Sequence, residues 1–173
     1  MIIILSDDKN QSVGNKIYES IRSRGMEAEY ISTSGLNVKP CYACGSCSTK
    51  TYRKCVIKDD MDAILRKWVR ADKIIIVTPV VWGSYSLDTK KILDRISVVG
   101  DLHYYMHNGE IVKGIHSNMK MVVIGVKEHC CKEESEAFSN LVHENINIMN
   151  ICGNAFVTRP DSGTAAIMEE VCG

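Results

Sequence analysis

The hydrophobic pattern of the chain predicts an α/β fold built on a parallel sheet with helices on both faces. Three observations carry the prediction. Short runs rich in β-branched residues alternate with segments that show a helical period. The runs are too uniformly apolar to leave one face in water, as expected of strands covered on both sides. The length, 173 residues, suits one domain around a single sheet.

Residues 1–5 form the first expected strand, and 12–24 a helix with Ile17, Ile21 and the stem of Tyr18 on one face. Residues 26–32 read as the second strand. From Thr33 to Cys55 no period holds; Gly35, Pro40, Gly45 and four cysteines make this a long loop, within a wider cysteine-rich region 33–58. A run of that length without regular structure is functional or disordered, and the cysteines favour function. Residues 59–70 are the next helix, begun by Asp59 or Asp60 as cap, with Met61, Ile64, Leu65 and Trp68 inward. Residues 73–77 make the clearest central strand. Residues 78–85 are a loop shaped by Pro79 and Gly83, and 86–96 a helix with Leu87, Ile92, Leu93 and Ile96 apolar. An irregular insertion, 100–118, admits a hairpin turning at Asn108-Gly109. Its His103, His107 and His116 fit no helical pair and read as surface imidazoles. A strand over 119–126, a helix over 133–149, a short strand over 154–157 and a last helix within 161–173 complete one domain, 1–173.

Twenty-one basic residues balance twenty-one acidic ones and form no dense run, which argues against nucleic acid as a partner. No apolar stretch approaches the roughly 18 residues that cross a bilayer. The N-terminus lacks the basic start and longer apolar region of a secretory signal, so the expected location is the cytoplasm. In that setting eight cysteines point to metal binding or redox chemistry rather than a disulfide framework.

Parallel sheets bind ligands at the carboxyl ends of their strands, here the loops after Leu5, Ser32, Val77 and Val126. Three of these carry the unusual residues of the sequence. The first is Cys41-x2-Cys44-x2-Cys47-x7-Cys55, where three thiolates at a three-residue repeat can wrap a corner of an iron–sulfur cubane and a fourth can close it. Redox or idle thiols, and less readily zinc, are the other readings of the same spacing. The second is Thr78-Pro-Val-Val-Trp-Gly-Ser-Tyr85: Val81, Trp82 and Tyr85 offer flat apolar surface for a ring system, and Gly83 and Ser84 offer N–H groups. Trp82 packed on a helix is the plainer alternative. The third is His129-Cys130-Cys131, whose vicinal thiols are a further redox candidate. The junction from the first strand to the first helix also aims helix N–H groups at an anion, with Lys9, Gln11, Ser12 and Gly14 as donors. Asp7 and Asp8 would repel a phosphate there unless turned away, and an ordinary turn with Ser12 as N-cap is the alternative.

The order of elements, Thr78-Pro-Val-Val-Trp-Gly-Ser84 and Cys41-x2-Cys44-x2-Cys47-x7-Cys55-Val-Ile-Lys-Asp-Asp-Met61 together resemble the NADPH-dependent FMN reductase and iron–sulfur flavoprotein group. The resemblance covers most of residues 1–157. It implies a flavodoxin-like doubly wound five-stranded sheet of order 2-1-3-4-5, FMN at the strand ends, and a homodimer or homotetramer. It also implies a [4Fe-4S] cluster on Cys41, Cys44, Cys47 and Cys55, the isoalloxazine on Pro79, Val80, Val81, Trp82, Gly83 and Ser84, and the phosphate on Lys9, Gln11, Ser12, Val13 and Gly14. The function it implies is an FMN-dependent oxidoreductase that takes electrons from NAD(P)H and passes them to a flavin, a quinone or a redox protein. An electron carrier without a dedicated small substrate, and a flavin-free metal- or redox-sensing module, are the other functions open to the sequence.

Overall fold

The computed structural model describes residues 1–7, 12–99, 103–113 and 118–172. In chain order the elements are β1 (Ile2–Ser6), α1 (Ser12–Ser23), β2 (Ala28–Ser32), a 3-10 turn (Ser46–Ser48), α2 (Met61–Trp68), β3 (Lys73–Pro79) and α3 (Leu87–Ile96). They continue as β4 (Tyr104–His107), β5 (Glu110–Lys113), β6 (Lys120–Val126), α4 (Lys132–Met149), β7 (Cys152–Thr158) and α5 (Ala165–Cys172). Five strands form one parallel sheet in the order β2-β1-β3-β6-β7, with Ile4 of β1 opposite Tyr30 of β2 and Ile75 of β3. With β4 and β5 set aside as a separate hairpin, this is the expected 2-1-3-4-5 order of a flavodoxin-like sheet.

The two-residue period of the strands divides the core in two. Ile3, Leu5, Ile74, Ile76, Met121 and Val123 face the side covered by α2, α3 and α4. Ile4, Ile75, Val77, Val122, Ile124 and Val126 face the side covered by α1 and α5. Because both faces are covered, each of these side chains leaves water, which is worth about 1.5–3 kcal/mol apiece. Met61, Ile64, Leu65 and Trp68 of α2 are all buried, as their helical spacing requires.

Several boundaries differ from those expected. β7 extends on both sides of 154–157 because its backbone stays paired to β6 from Cys152 to Thr158. α2 is shorter than 59–70, since Asp59 and Asp60 hold the incoming chain instead of continuing the helix. Asp60 makes no side-chain cap; its Oδ2 accepts the Asn37 N–H at 2.8 Å. Asp59 Oδ1 accepts the Met61 N–H at 3.1 Å. Part of the 100–118 insertion is the β4–β5 hairpin, turning at Asn108 (φ +50°) and Gly109 (φ +85°), the left-handed pair of a type I′ turn. Among the described residues no helix is long and apolar enough to cross a membrane.

Candidate functional site

β3 delivers its chain to the carboxyl edge of the sheet, where the Val80 N–H is tied to the Val126 carbonyl at 3.0 Å. Val81 and Ser84 then exchange two backbone hydrogen bonds, at 2.9 and 3.0 Å, closing a two-residue turn. Both corner residues are left-handed, Trp82 at φ +54° and Gly83 at φ +71°. Gly83 accepts this freely and lies buried against α4, where an added Cβ would meet the Ala137 Cβ at 2.8 Å. Trp82 holds the same conformation at a cost of about 1–2 kcal/mol, a strain of the kind found at ligand clamps. Its side chain is 91% exposed, so it does not pack on a helix. The turn leaves the Trp82 and Gly83 N–H groups without an acceptor among the described residues. The Ser84 N–H, expected as a ring donor, is consumed by the turn itself.

Beneath this turn lies a buried polar network. The Ser86 hydroxyl donates to the Asp7 carboxylate and accepts the Thr89 N–H at 3.2 Å, capping α3, while the Ser86 N–H donates to Thr78 Oγ1 at 3.2 Å. Asp7 is 3% exposed, and its own N–H donates to the Val77 carbonyl at 2.8 Å. Its carboxyl is thus turned into the protein and bonded to Ser86. Lys9, Gln11 and Asp8 lie outside the described residues. Ser12 opens α1, with Val13 and Gly14 buried in its first turn. A Cβ on Gly14 would sit 2.5 Å from Ser6 Oγ and 3.0 Å from the Tyr30 hydroxyl, so only glycine lets the helix start approach the strand end this closely. The positive end of a 12-residue helix therefore stands at the carboxyl edge, an arrangement that suits a phosphate.

The cysteine region leaves the same edge. Thr33 is pinned there by its N–H and hydroxyl, both donating to the Ser6 carbonyl at 2.8 and 3.2 Å. Left-handed residues at Ala43, Gly45 and Arg53 fold the chain back on itself around the Ser46–Ser48 turn. The Arg53 N–H donates to the Cys47 carbonyl at 2.8 Å, drawing the Cys47 and Cys55 segments together. All four loop cysteines are free thiols; Cys41 and Cys44 are exposed, and Cys47 and Cys55 are half-buried against the core. The Ser46 hydroxyl, then the Ser46 N–H, hold the Cys44 thiol below its ordinary value, favouring the thiolate that binds metal. Among the described residues no three His, Cys, Asp or Glu side chains converge on one metal ion.

Both stems of the loop are held by Arg95, which sequence reasoning missed. Its Nη1 donates to Asp59 Oδ2 at 2.5 Å and to the Lys39 carbonyl at 3.2 Å, and Nη2 donates to the Ile57 carbonyl at 3.3 Å. Asp59 Oδ2 also accepts the Lys39 N–H at 2.9 Å. Burial pushes the Asp59 carboxyl up, but the Arg95 guanidinium and the Lys39 and Met61 N–H groups bring it below the usual carboxylate range. Arg95 shares the inner face of α3 with Thr89, Ile92 and Ile96, a placement its spacing from Ile92 could have signalled. It lies nine positions after Ser86, or about 13 Å along a helix axis. The cysteine loop and the Val81–Ser84 turn thus share an edge only where the loop begins; the Cys55 stem lies toward the other end of α3.

At the exits of β6 and β7 an open cleft of about 930 Å³ is lined by Lys127, His129, Cys130, Cys131 and Arg159. Lys127 pairs with Glu134 at 2.6 Å, an interaction that raises its pKa. Burial, then the Glu134 carboxylate, push the Cys130 thiol up, which disfavours its thiolate.

A parallel doubly wound sheet with a strained aromatic turn and a helix N-terminus at its carboxyl edge defines a flavodoxin-like, nucleotide-binding class of protein. Residues 5–137 match the model of the NADPH-dependent FMN reductase family, and the chain belongs to that family. An iron-sulfur flavoprotein of Methanosarcina thermophila is 37% identical over 90 residues, 52% of this chain and 46% of that protein. Another iron-sulfur flavoprotein, from Methanocaldococcus jannaschii, is 41% identical over 76 residues, 44% of this chain and 38% of that one. The chain therefore aligns with less than half the length of these two relatives. Among solved structures, an azoreductase from Bacillus anthracis superposes with a TM-score of 0.66 at 10% identity, covering 98% of this chain and 91% of that one. An NAD(P)H:quinone oxidoreductase from Methanothermobacter marburgensis gives 0.64 at 13% identity, covering 99% and 90%. At such identities the likeness is one of fold.

Proposed function

We propose that the protein is an FMN-dependent oxidoreductase that accepts electrons from NAD(P)H and carries a [4Fe-4S] cluster on Cys41, Cys44, Cys47 and Cys55. The observation that carries the flavin part is the Val81–Ser84 turn. It presents an exposed Trp82 ring and the two uncommitted N–H groups of Trp82 and Gly83 beside the N-terminus of α1. Val80, buried, and Pro79 fix the base of the turn, and Val81 adds apolar surface. Ser12, Val13 and Gly14 open the helix end that would receive the phosphate, with Lys9 and Gln11 on the preceding segment. FMN supplies the hydride and one-electron chemistry when bound. The chain's own part is to hold the ring, aim N–H dipoles at it, and keep the Asp7 carboxyl bonded to Ser86 beneath it.

For the cluster, the donor set fits: four free thiols on one loop, two of them set against the core, with the Cys44 thiolate favoured by Ser46. The cluster would supply single-electron exchange with the flavin. A cubane spreads its ligands over separate irons, so the four sulfurs need not meet at one ion. The names of the iron-sulfur flavoprotein relatives support the same reading. Eight free cysteines suit a reducing compartment, which supports the cytoplasm. The exposed Tyr104, Tyr105, Met106 and Ile111 of the hairpin support a homo-oligomer.

The test is anaerobic reduction. Protein loaded with FMN and passed through gel filtration should retain the flavin, and NADPH or NADH should bleach its visible absorption. Flavin lost on the column, or retained but untouched by either nicotinamide, would overturn the proposal.

A further inference from the structure

Arg95 is 1% exposed, and its guanidinium makes three bonds, all to the stems of the cysteine loop or to the acid beside them. Lys39 stands two residues before Cys41, and Ile57 two residues after Cys55. One side chain therefore closes the loop into a ring from outside the loop. Its Nε, in contrast, is buried with no hydrogen-bond partner among the described residues. An unpaired buried donor on a cation costs more than a neutral one, and a strained, redox or ligand-binding role is what accounts for such groups in native proteins. Cys55 stands two residues before the Ile57 carbonyl that Nη2 holds, and it is the ligand whose place is set by the longer, seven-residue spacing.

We propose that Arg95 is the positioning residue of the cluster site: it clasps the Lys39 and Ile57 stems so that the four cysteines face one centre, and its Nε–H donates to the Cys55 sulfur once that sulfur is a ligand. The inference rests on the proposed cluster and assigns to α3 a part in holding it. A hydrogen bond to a ligating sulfur withdraws electron density and raises the reduction potential of a cluster. Lysine keeps the charge but cannot make the fork and has no Nε–H.

The experiment compares wild type with Arg95→Lys after anaerobic reconstitution, reading iron and sulfide content and then the midpoint potential. The expected result is a loaded variant whose reduction equilibrium is about tenfold less favourable, which is 59 mV for one electron. A measurement on wild type covers the case in which the variant does not fold. With arginine labelled at Nε, Arg95 is the only buried arginine, so it gives the one slowly exchanging Nε–H signal. That signal should shift or broaden when the cluster is reduced. A loaded variant at the wild-type potential, or a wild-type signal indifferent to reduction, overturns the inference while the cluster stands. A wild-type chain that never takes up iron overturns the cluster, and this inference with it.

Discussion

Asp59→Ala is expected to be the most damaging single substitution in the cysteine region. The Asp59 side chain is 0% exposed and faces an Arg95 side chain that is 1% exposed, so the ion pair is closed to water. The carboxylate satisfies three donors: Arg95 Nη1 at 2.5 Å, the Lys39 N–H at 2.9 Å and the Met61 N–H at 3.1 Å. Truncation leaves all three unpaired and one buried cation uncompensated. Breaking a buried pair in this way costs about 3–5 kcal/mol, a large share of the roughly 5–15 kcal/mol that holds a domain folded. At about 2–4 °C per kcal/mol for a chain of this size, Tm should fall by about 6–20 °C. Urea unfolding of cofactor-free protein is the assay, with buried Trp68 as the fluorescence reporter and exposed Trp82 as background. The midpoint should drop with the slope unchanged. The double variant Asp59→Leu/Arg95→Met should recover part of the loss, because neither charge is then stranded. A loss below about 1 kcal/mol, the size of an exposed pair, would refute the reasoning.

The same pair sets an acid limb. Because the folded Asp59 pKa is lowered, its contribution is complete above the unfolded value of about 3.9 and is lost as pH falls through the folded value. The stability gap between wild type and Asp59→Asn should therefore narrow steadily below about pH 4; a gap independent of pH there would contradict it. Ser86→Ala removes the α3 cap and the donor to buried Asp7, with an expected loss of about 2–3 kcal/mol by thermal unfolding; a loss under half of that would mean the network is relieved by water. Trp82→Ala should leave stability within about 0.5 kcal/mol, since the ring touches little, yet weaken FMN binding several-fold by fluorescence titration. An unchanged Kd would remove Trp82 from the site.

The sheet was legible because its strands announce themselves locally. Runs such as Ile74, Ile75, Ile76 and Val77 alternate between two cores, and neither face of the run carries a charge. Asn108-Gly109 was readable for the same reason, since turn chemistry is decided within four residues. Arg95 was signalled only by its spacing from Ile92, because a lone arginine in the last turn of an amphipathic helix ordinarily lies in solvent. Its burial depends on Asp59, 36 positions away, and on carbonyls of a loop with no period. Asp7 reads in the sequence as an acid at odds with a phosphate, and its bond to Ser86, 79 positions on, turns the side chain into the protein. For Trp82 the sequence left packing and ligand binding equally open. The left-handed corner it shares with Gly83 is what turns the ring outward.

What the purified chain contains is the most direct test of the cluster loop. Protein prepared without air should carry one FMN and, after reconstitution, about four iron and four sulfide per chain. Replacing Cys55 by serine should lower the iron without releasing the flavin. Iron absent from the wild-type chain, or iron unchanged when Cys55 is replaced, would contradict the assignment of that loop as the cluster site.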